Sequence, residues 1–396
     1  MKTFLKLSKP AACFWVAAFA CASIAAAPEE RLPQPKNAHL SIRHETQRAI
    51  DRGLHWLEKN QSAEGYWSTG DSSALTSLAL LAFKGDPSGR FATNEPAFIK
   101  QAFIYLEGCV QPDGSIYNKK EYLTHNTALG ILALHAAKNP KYEPAIRKGR
   151  AFLVGLQSDF GERGKTDDVF DGGIGYGSKY EHSDLANTLS ALEALYHTRK
   201  VTADKPDAEK TPELNFAAAI HFLQNCQNLE KFNKQAWVSE DAQNKGGFIY
   251  YPGHSMAGEA QLPSGKTALR SYGSASYAGL LSYIYADLKR DDPRVEAVYN
   301  WLKENYTLEE NPGMGPQGFY YYLHTMAKAL SAYGVSELET RDGQKIDWRK
   351  DLALRLINLQ QPDGSWVNEN GRWWEKDPAL VTSYAVIALE LIHRGL

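Results

Sequence analysis

The sequence has no excess of charge of either sign, no long apolar segment after its first 27 residues, and no extended alternation of apolar and polar residues. A formal net charge of −2 gives no basic field, so no nucleic-acid partner is expected. Without a long apolar segment we expect no obligate membrane span. Without alternation, β-strands are not favoured. The 396 residues, 43% of them hydrophobic, are ample material for a globular core.

The first 27 residues match an export signal, with three lysines, then a short apolar segment, then small residues suited to cleavage. Residues 18–21 match a lipoprotein cleavage site only weakly. Residues 28–43 are polar and rich in proline, and we predict that they form a tether. We therefore expect a secreted or periplasmic protein with a single folded domain at residues 44–396.

One short string of residues occurs almost twice. Gln111-Pro-Asp-Gly-Ser-Ile116 recurs as Gln361-Pro-Asp-Gly-Ser-Trp366, and Gln61-Ser-Ala-Glu-Gly-Tyr-Trp67 is a looser copy. Each copy follows one apolar helical pattern and precedes another. Self-similarity of this kind indicates a repeat architecture.

Six units follow one plan, which consists of an amphipathic outer helix, a loop, and an inner helix rich in small residues. The inner helices, such as 76–83 and 127–134, are apolar on nearly every side, and such helices must be buried all round. Their small residues let neighbouring inner helices approach closely. We predict an all-α fold, an α/α toroid of six inner and six outer helices, with an open solenoid as the alternative.

Two of the four cysteines, Cys109 and Cys226, lie in the predicted domain. Each follows a leucine of an outer helix by three residues, so the two hold equivalent positions in repeats that are not adjacent. A disulfide requires Cα atoms within roughly 7 Å of each other. We therefore predict two buried free thiols.

The loop pattern Gln-x-x-Asp/Glu-Gly, followed closely by an aromatic residue or Ile and then by a small-residue helix, resembles the repeat of the squalene-cyclase and protein-prenyltransferase family. The resemblance covers roughly residues 45–396. It implies an α/α toroid around a central cavity, with functional groups at the N-terminal ends of the inner helices. It also implies a divergent, secreted, bacterial-type member of that family.

Helix N-termini present unpaired N–H groups and a partial positive charge. Converging ends would favour a polar or anionic ligand head, and the wall of the toroid would accept an apolar tail. The polar residues at the starts of the inner helices are therefore the candidate site, and they cluster in units two to five: His125, Asn126, His182, Asp184, Asn187, Arg270, Tyr272, Ser274 and His324. The alternative for Asn126, Asp184 and Asn187 is that they only cap helices.

Class II cyclases of this family use an Asp-x-Asp-Asp motif, in which a protonated acid donates to an alkene. The matching segment is Asp184-Leu-Ala-Asn187, which keeps only the first acid. By this resemblance Asp184 would be the acid, and His182 and His324 would be its polar partners at the mouth of the cavity. Arg270 would hold a negative group of the ligand.

Two segments of the sequence resemble metal sites of related enzymes. The His324-Thr325 pair matches the zinc-binding histidine of the prenyltransferases, but Arg270 and Tyr272 hold the positions of the other two ligands, and an arginine would repel zinc. Asp167-Asp-Val-Phe-Asp171 has the spacing that binds magnesium diphosphate in class I terpenoid enzymes. It runs into a predicted loop, and we interpret it as a solvated acidic segment. We expect no metal and no cofactor.

The sequence leaves three functions open. The leading hypothesis is a toroid that handles a small isoprenoid-like or other apolar ligand in its central cavity, with or without cyclase-type chemistry. The second is a non-catalytic toroid that binds a ligand or a protein partner. The third is a secreted polysaccharide lyase. In such an enzyme a His or Tyr takes a proton beside a uronate carboxylate, and an Arg or Asn holds that carboxylate. The candidate residues for these roles are His182, His324, Tyr272, Arg270 and Asn126.

Overall fold

The computed structural model describes residues 39–92, 95–177, 182–203, 212–239 and 241–396. The predicted signal peptide and residues 28–38 of the predicted tether lie outside these ranges. The tether prediction is wrong at its other end, because residues 40–43 already belong to the first helix. Among the described residues, no helix combines the length and the hydrophobicity that crossing a membrane requires.

The described residues form two layers of α-helices. The inner helices are α2 (Ser73–Gly85), α4 (Leu123–Ala136), α6 (Leu185–His197), α9 (Gly273–Tyr285), α11 (Phe319–Tyr333) and α13 (Pro378–Gly395). The outer helices are α1 (Leu40–Lys59), α3 (Ala97–Gly108), α5 (Glu143–Gly155), α8 (Phe216–Asn225), α10 (Pro293–Glu304) and α12 (Trp348–Leu359). The remaining helix, α7 (Lys200–Ala203), is a single turn.

Two small antiparallel hairpins interrupt the helical pattern. Strand β1 (Glu259–Gln261) pairs with β2 (Thr267–Leu269), and β3 (Leu338–Glu339) pairs with β4 (Lys345–Ile346). The first hairpin lies in the long loop before α9, and the second lies just before α12. Both are insertions between helices and add no layer to the core.

Each inner helix packs against the next one along the chain, and α13 packs against α2, so the inner helices form a closed circuit. The predicted all-α fold is confirmed, and this circuit is the arrangement that the toroid prediction required. The outer helices bury one face only. In α1 the buried residues recur at helical spacing, from Ile42 through Thr46 and Ile50 to Leu57, as expected for an amphipathic helix.

The repeated loop holds neighbouring helices together. In five units, the residue that ends the loop is fully buried. Its backbone N–H donates to a hydroxyl on the following inner helix: Trp67 to Thr76, Ile116 to Thr127, Ile174 to Thr188, Phe248 to Ser276, and Trp366 to Thr382. The loop glycine allows close packing. At Gly364, where φ is +98°, a Cβ atom would lie 2.6 Å from the Arg52 carbonyl oxygen of α1.

The two cysteines are buried free thiols, as predicted. Cys109 follows α3 and Cys226 follows α8, each as the C-cap residue of an outer helix. Burial raises the pKa of both thiols, so neither is an activated nucleophile.

Candidate functional site

The starts of the six inner helices are joined by hydrogen bonds around one ring. Each bond links the start of one inner helix to the start of the next or to the segment that precedes it. The pairs are Ser72 with Asn126, Thr124 with Tyr176, Leu185 with Tyr250, Gly273 with Pro312, Tyr321 with Glu375, and Asp377 with Ser68. At the C-terminal ends of the inner helices, Arg394 of α13 donates to the carbonyl oxygen of Gly85 in α2. The inner helices therefore run parallel, and their N-terminal ends surround a single opening.

A cavity of about 1010 Å³ lies inside this ring and is lined by residues of all six inner helices. Its volume is at the upper end of the range for small-molecule sites, roughly 300–1,000 Å³. The lining is mostly apolar, with leucines from four helices, such as Leu78, Leu129, Leu189 and Leu380. Lining residues come from both ends of the inner helices, so the cavity runs roughly 20 Å along them, the length of a 13-residue helix.

Five of the nine residues predicted for the site line this cavity: His125, Asn187, Tyr272, Ser274 and His324. The other four, Asn126, His182, Asp184 and Arg270, are not part of its lining. Two of these four, His182 and Arg270, lie in the segments that precede α6 and α9, and the side chains of Asn126 and Asp184 are engaged in helix caps.

Asp184 caps α6. Its carboxylate accepts hydrogen bonds from the backbone N–H of Asn187 at 2.9 Å and from Asn187 Nδ2 at 2.7 Å. It is fully buried, and burial raises its pKa to about 6. Ala186 and Asn187, which replace the two other acids of the cyclase motif, do line the cavity. The side chains that face a ligand at this point therefore carry no acid.

The other three residues also have positions outside the lining. Asn126 Oδ1 accepts the N–H of Ala74 at 2.9 Å, so this side chain caps the neighbouring helix α2. The His182 ring lies 4.4 Å from the ring of Tyr251. Arg270 is exposed, directly after strand β2. The capping alternative therefore describes Asn126 and Asp184 in the structure.

Side chains of the protein already accept from some of the N–H groups that were expected to hold an anionic head at the mouth. At five of the six inner helices, a side chain accepts a hydrogen bond from a first-turn N–H. The acceptors are Asn126 for α2, Asp184 for α6, Asn311 for α9, Glu375 for α11 and Asp377 for α13. Three of these acceptors are carboxyl groups, which offset the partial positive charge of the helix ends.

Deeper in the cavity lies a pair of charged residues that is not among the nine residues predicted from the sequence. Lys328 Nζ donates to Glu193 at 2.5 Å, and both side chains are less than one-fifth exposed. The pair links α6 to α11 across the inner face of α9, where the small side chains of Ala275 and Ala278 line the cavity. A signal was present in the sequence, because a charged residue inside an otherwise apolar inner helix breaks the pattern of the repeat.

Two histidines accompany this pair. His125 Nδ1 lies 3.3 Å from Ser190 Oγ, and His324 Nδ1 lies 3.2 Å from the Tyr384 carbonyl oxygen. Burial lowers the pKa of His125 to about 4 and that of His324 to about 3. Both rings are therefore neutral at pH 7, and each can offer one donor and one acceptor.

The mouth is bordered by exposed aromatic residues. Tyr122, Trp373 and Trp374 line the cavity, are each more than two-fifths exposed, and have positive φ angles. The rings of Tyr122 and Trp374 meet edge to face at 6.5 Å between centroids. A non-glycine residue in this region is strained, and such strain is common at ligand-binding sites.

The Asp167–Asp171 segment forms a loop in which the carboxylates bond to nearby backbone. Asp171 is buried and accepts the N–H groups of Phe160 and Asp168, and Asp167 accepts that of Glu162. Within the part of the chain that the structure describes, no three His, Cys, Asp or Glu side chains converge as metal ligands do.

No known family model matches the chain. Among solved structures, the type II terpene cyclase MstE from Scytonema, as an arginine-to-alanine variant in complex with its substrate geranylgeranyl dihydroxybenzoate, is similar with a TM-score of 0.50. That match has 13% sequence identity and covers 90% of this chain and 100% of MstE. A protein from Actinoplanes matches with a TM-score of 0.48 and 13% identity, covering 89% of this chain and 100% of that one. At this level of identity, the likeness to MstE shows that the two chains share a fold.

Proposed function

We propose that the protein binds an elongated, mainly apolar, isoprenoid-like molecule in its central cavity. The observation that carries this proposal is the cavity of about 1010 Å³, which is walled mostly by leucine and other apolar residues from all six inner helices. The solved complex of MstE with a geranylgeranyl compound supports it, because MstE has a similar fold. We further propose, from the predicted signal peptide, that binding takes place outside the cytoplasm.

Binding accounts for the site better than cyclisation does. In the cyclases that this chain resembles, the acid that protonates the alkene faces the ligand, whereas here Ala186 and Asn187 line the cavity at that position and Asp184 does not. Of the carboxyl groups that do line it, Glu193 is bonded to Lys328 and Glu375 to the N–H of Tyr321. The polysaccharide-lyase alternative has less support, since the exposed Arg270 lies away from Tyr272 and His324 in the lining.

The test is a titration of the purified protein with geranylgeraniol, followed by tryptophan fluorescence. Trp373 and Trp374 line the mouth, so an occupied cavity should change their emission. An Ala275→Phe variant puts a large side chain into the cavity at α9 and should weaken binding at least tenfold. Ala217→Phe is the matched control, because Ala217 is exposed on the outer helix α8, and this variant should bind as the wild type does.

Each outcome has a defined meaning. Saturable binding that Ala275→Phe weakens and Ala217→Phe does not weaken supports the proposal. Absence of binding, or equal binding by both variants, overturns it. The bound fraction is also extracted after prolonged incubation and analysed by mass spectrometry. Recovery of unchanged geranylgeraniol is the expected result, whereas a cyclic product would show that the protein is a cyclase despite the missing acids.

A further inference from the structure

The charged pair and the two histidines form one polar belt inside an otherwise apolar cavity. The belt consists of His125, Ser190, Glu193, His324 and Lys328, all of which line the cavity. Ser190 and Glu193 are three residues apart on α6, and His324 and Lys328 are four apart on α11, so each pair shares one helical face within a single turn. The Glu193–Lys328 bond joins the two faces, and the Ser190–His125 contact extends the belt to α4.

The hydrogen bonds around the histidines determine which ring nitrogen carries the proton. Ser190 donates its hydroxyl hydrogen to the Ala186 carbonyl oxygen at 3.0 Å, and with that bond in place its oxygen accepts from His125 Nδ1. The Tyr384 carbonyl oxygen can only accept, and it lies at His324 Nδ1. Both neutral rings therefore carry hydrogen on Nδ1. In each ring Nε2 is left as an acceptor with no hydrogen-bond partner among the described residues.

Lys328 supplies the complementary donor. Its ammonium group has three N–H donors, and the partner it has among the described residues is the Glu193 carboxylate. At least one donor therefore remains for a ligand. The belt therefore offers a ligand one charged donor, Lys328, and two neutral acceptors, the Nε2 atoms of His125 and His324. A carbonyl or ether oxygen can only accept, so neither group can bond to both the donor and an acceptor.

We propose that the polar belt is a subsite for a hydroxyl group of the ligand, which accepts a hydrogen bond from Lys328 and donates one to the Nε2 atom of His125 or His324. This inference rests on the proposed function, because it specifies the chemistry of a ligand in the same cavity. The opposite charges of Glu193 and Lys328 compensate each other, so an anionic group would have to displace Glu193 from Lys328 and a cationic group would have to displace Lys328 from Glu193. The ligand class is therefore a neutral isoprenoid alcohol, bound with its hydroxyl group inside the cavity.

The first experiment needs no variant. Geranylgeraniol and its methyl ether differ in that the ether cannot donate a hydrogen bond. We expect the wild-type protein to bind the alcohol about fivefold to tenfold more tightly, the factor that one net hydrogen bond provides. Equal affinities would overturn the hydroxyl subsite and leave the proposed function intact. Absence of binding for both compounds would overturn the proposed function and the subsite together.

Variants then locate the effect. In the double variant His125→Phe with His324→Phe, both acceptors are lost, and we expect the alcohol and the ether to bind equally. His135→Phe is the control, because His135 also lines the cavity but lies ten residues further along α4 than His125; this variant should keep the preference for the alcohol. If the double variant kept the preference, the hydroxyl group would bind elsewhere and the subsite would be wrong. Thermal unfolding of each variant verifies that it is folded.

Discussion

Asp184, which caps α6, should make the free energy of unfolding depend on pH. Its carboxyl group is fully buried at the start of α6, and both of its hydrogen bonds come from Asn187. Burial raises its pKa from 3.8 to about 6, and the Asn187 bonds offset only part of that effect. The folded protein therefore holds a proton on this group at pH values where the unfolded chain has lost it.

The sign and the size of the effect follow from this difference. Between about pH 4 and pH 6 the folded state binds more protons at Asp184 than the unfolded state, so the free energy of unfolding falls as the pH rises and then levels off. One pKa unit corresponds to about 1.4 kcal/mol. The pKa difference of Asp184 is therefore worth about 3 kcal/mol, which is a large part of the stability of an ordinary domain.

The assay compares urea unfolding of the wild type and of Asp184→Asn across this pH range. Asparagine still caps a helix but does not titrate. As the pH rises from about 4 to about 7.5, the wild type loses the contribution of Asp184 and the variant does not. The difference in the free energy of unfolding, variant minus wild type, should therefore increase by about 3 kcal/mol over this range. Asp377→Asn is the control for the loss of a capping carboxylate, because Asp377 caps α13 in the same way but is only partly buried. A pH-independent difference for Asp184→Asn would refute the reasoning.

Two further predictions concern the charged pair and the repeated loop. Lys328→Met leaves Glu193 unpaired in the cavity and should lower the free energy of unfolding by about 3 kcal/mol. Adding Glu193→Leu to this variant should restore the free energy of unfolding to within about 1 kcal/mol of the wild type. If Lys328→Met alone lost less than about 1 kcal/mol, water would be solvating Glu193. Gly364→Ala should cost at least about 2 kcal/mol more than Gly253→Ala, as measured by urea unfolding, because both positions have positive φ but only the Cβ at 364 would meet the Arg52 backbone. Equal losses would show that α1 can move away.

The fold was predictable because the repeat fixes local structure and packing together. The small residues of the inner helices indicate close packing, and the loop strings indicate where each unit turns. The structure gives both a physical basis, since the loop-ending residue, such as Trp67 or Trp366, is buried and bonded to a hydroxyl of the following helix. The start of α1 was not predictable in this way, because Leu40–Arg43 precede the first recognisable repeat and helix ends carry weak signals.

The candidate site was predictable only in part. Knowing that the inner helices start at one opening identifies the right region, and His125, Asn187, Tyr272, Ser274 and His324 do line the cavity. Sequence position cannot tell which way a residue near the start of a helix points. Asp184 turns back to bond with Asn187, and Arg270 stays outside with the hairpin. These orientations depend on contacts between units, which the spacing along the chain does not reveal.

The residues that repeat and the residues that carry the proposed function are different sets, and there is a physical reason for this. A position that recurs in every unit must satisfy the same packing in every unit, so it holds a glycine, a buried aromatic or aliphatic side chain, or a hydroxyl. A ligand occupies the cavity once, so its partners must differ from unit to unit. Glu193 and Lys328 satisfy that requirement, as each is a single charged residue within a mostly apolar inner helix. In a closed repeat fold, departures from the repeat inside the inner helices are therefore better indicators of function than the repeat itself.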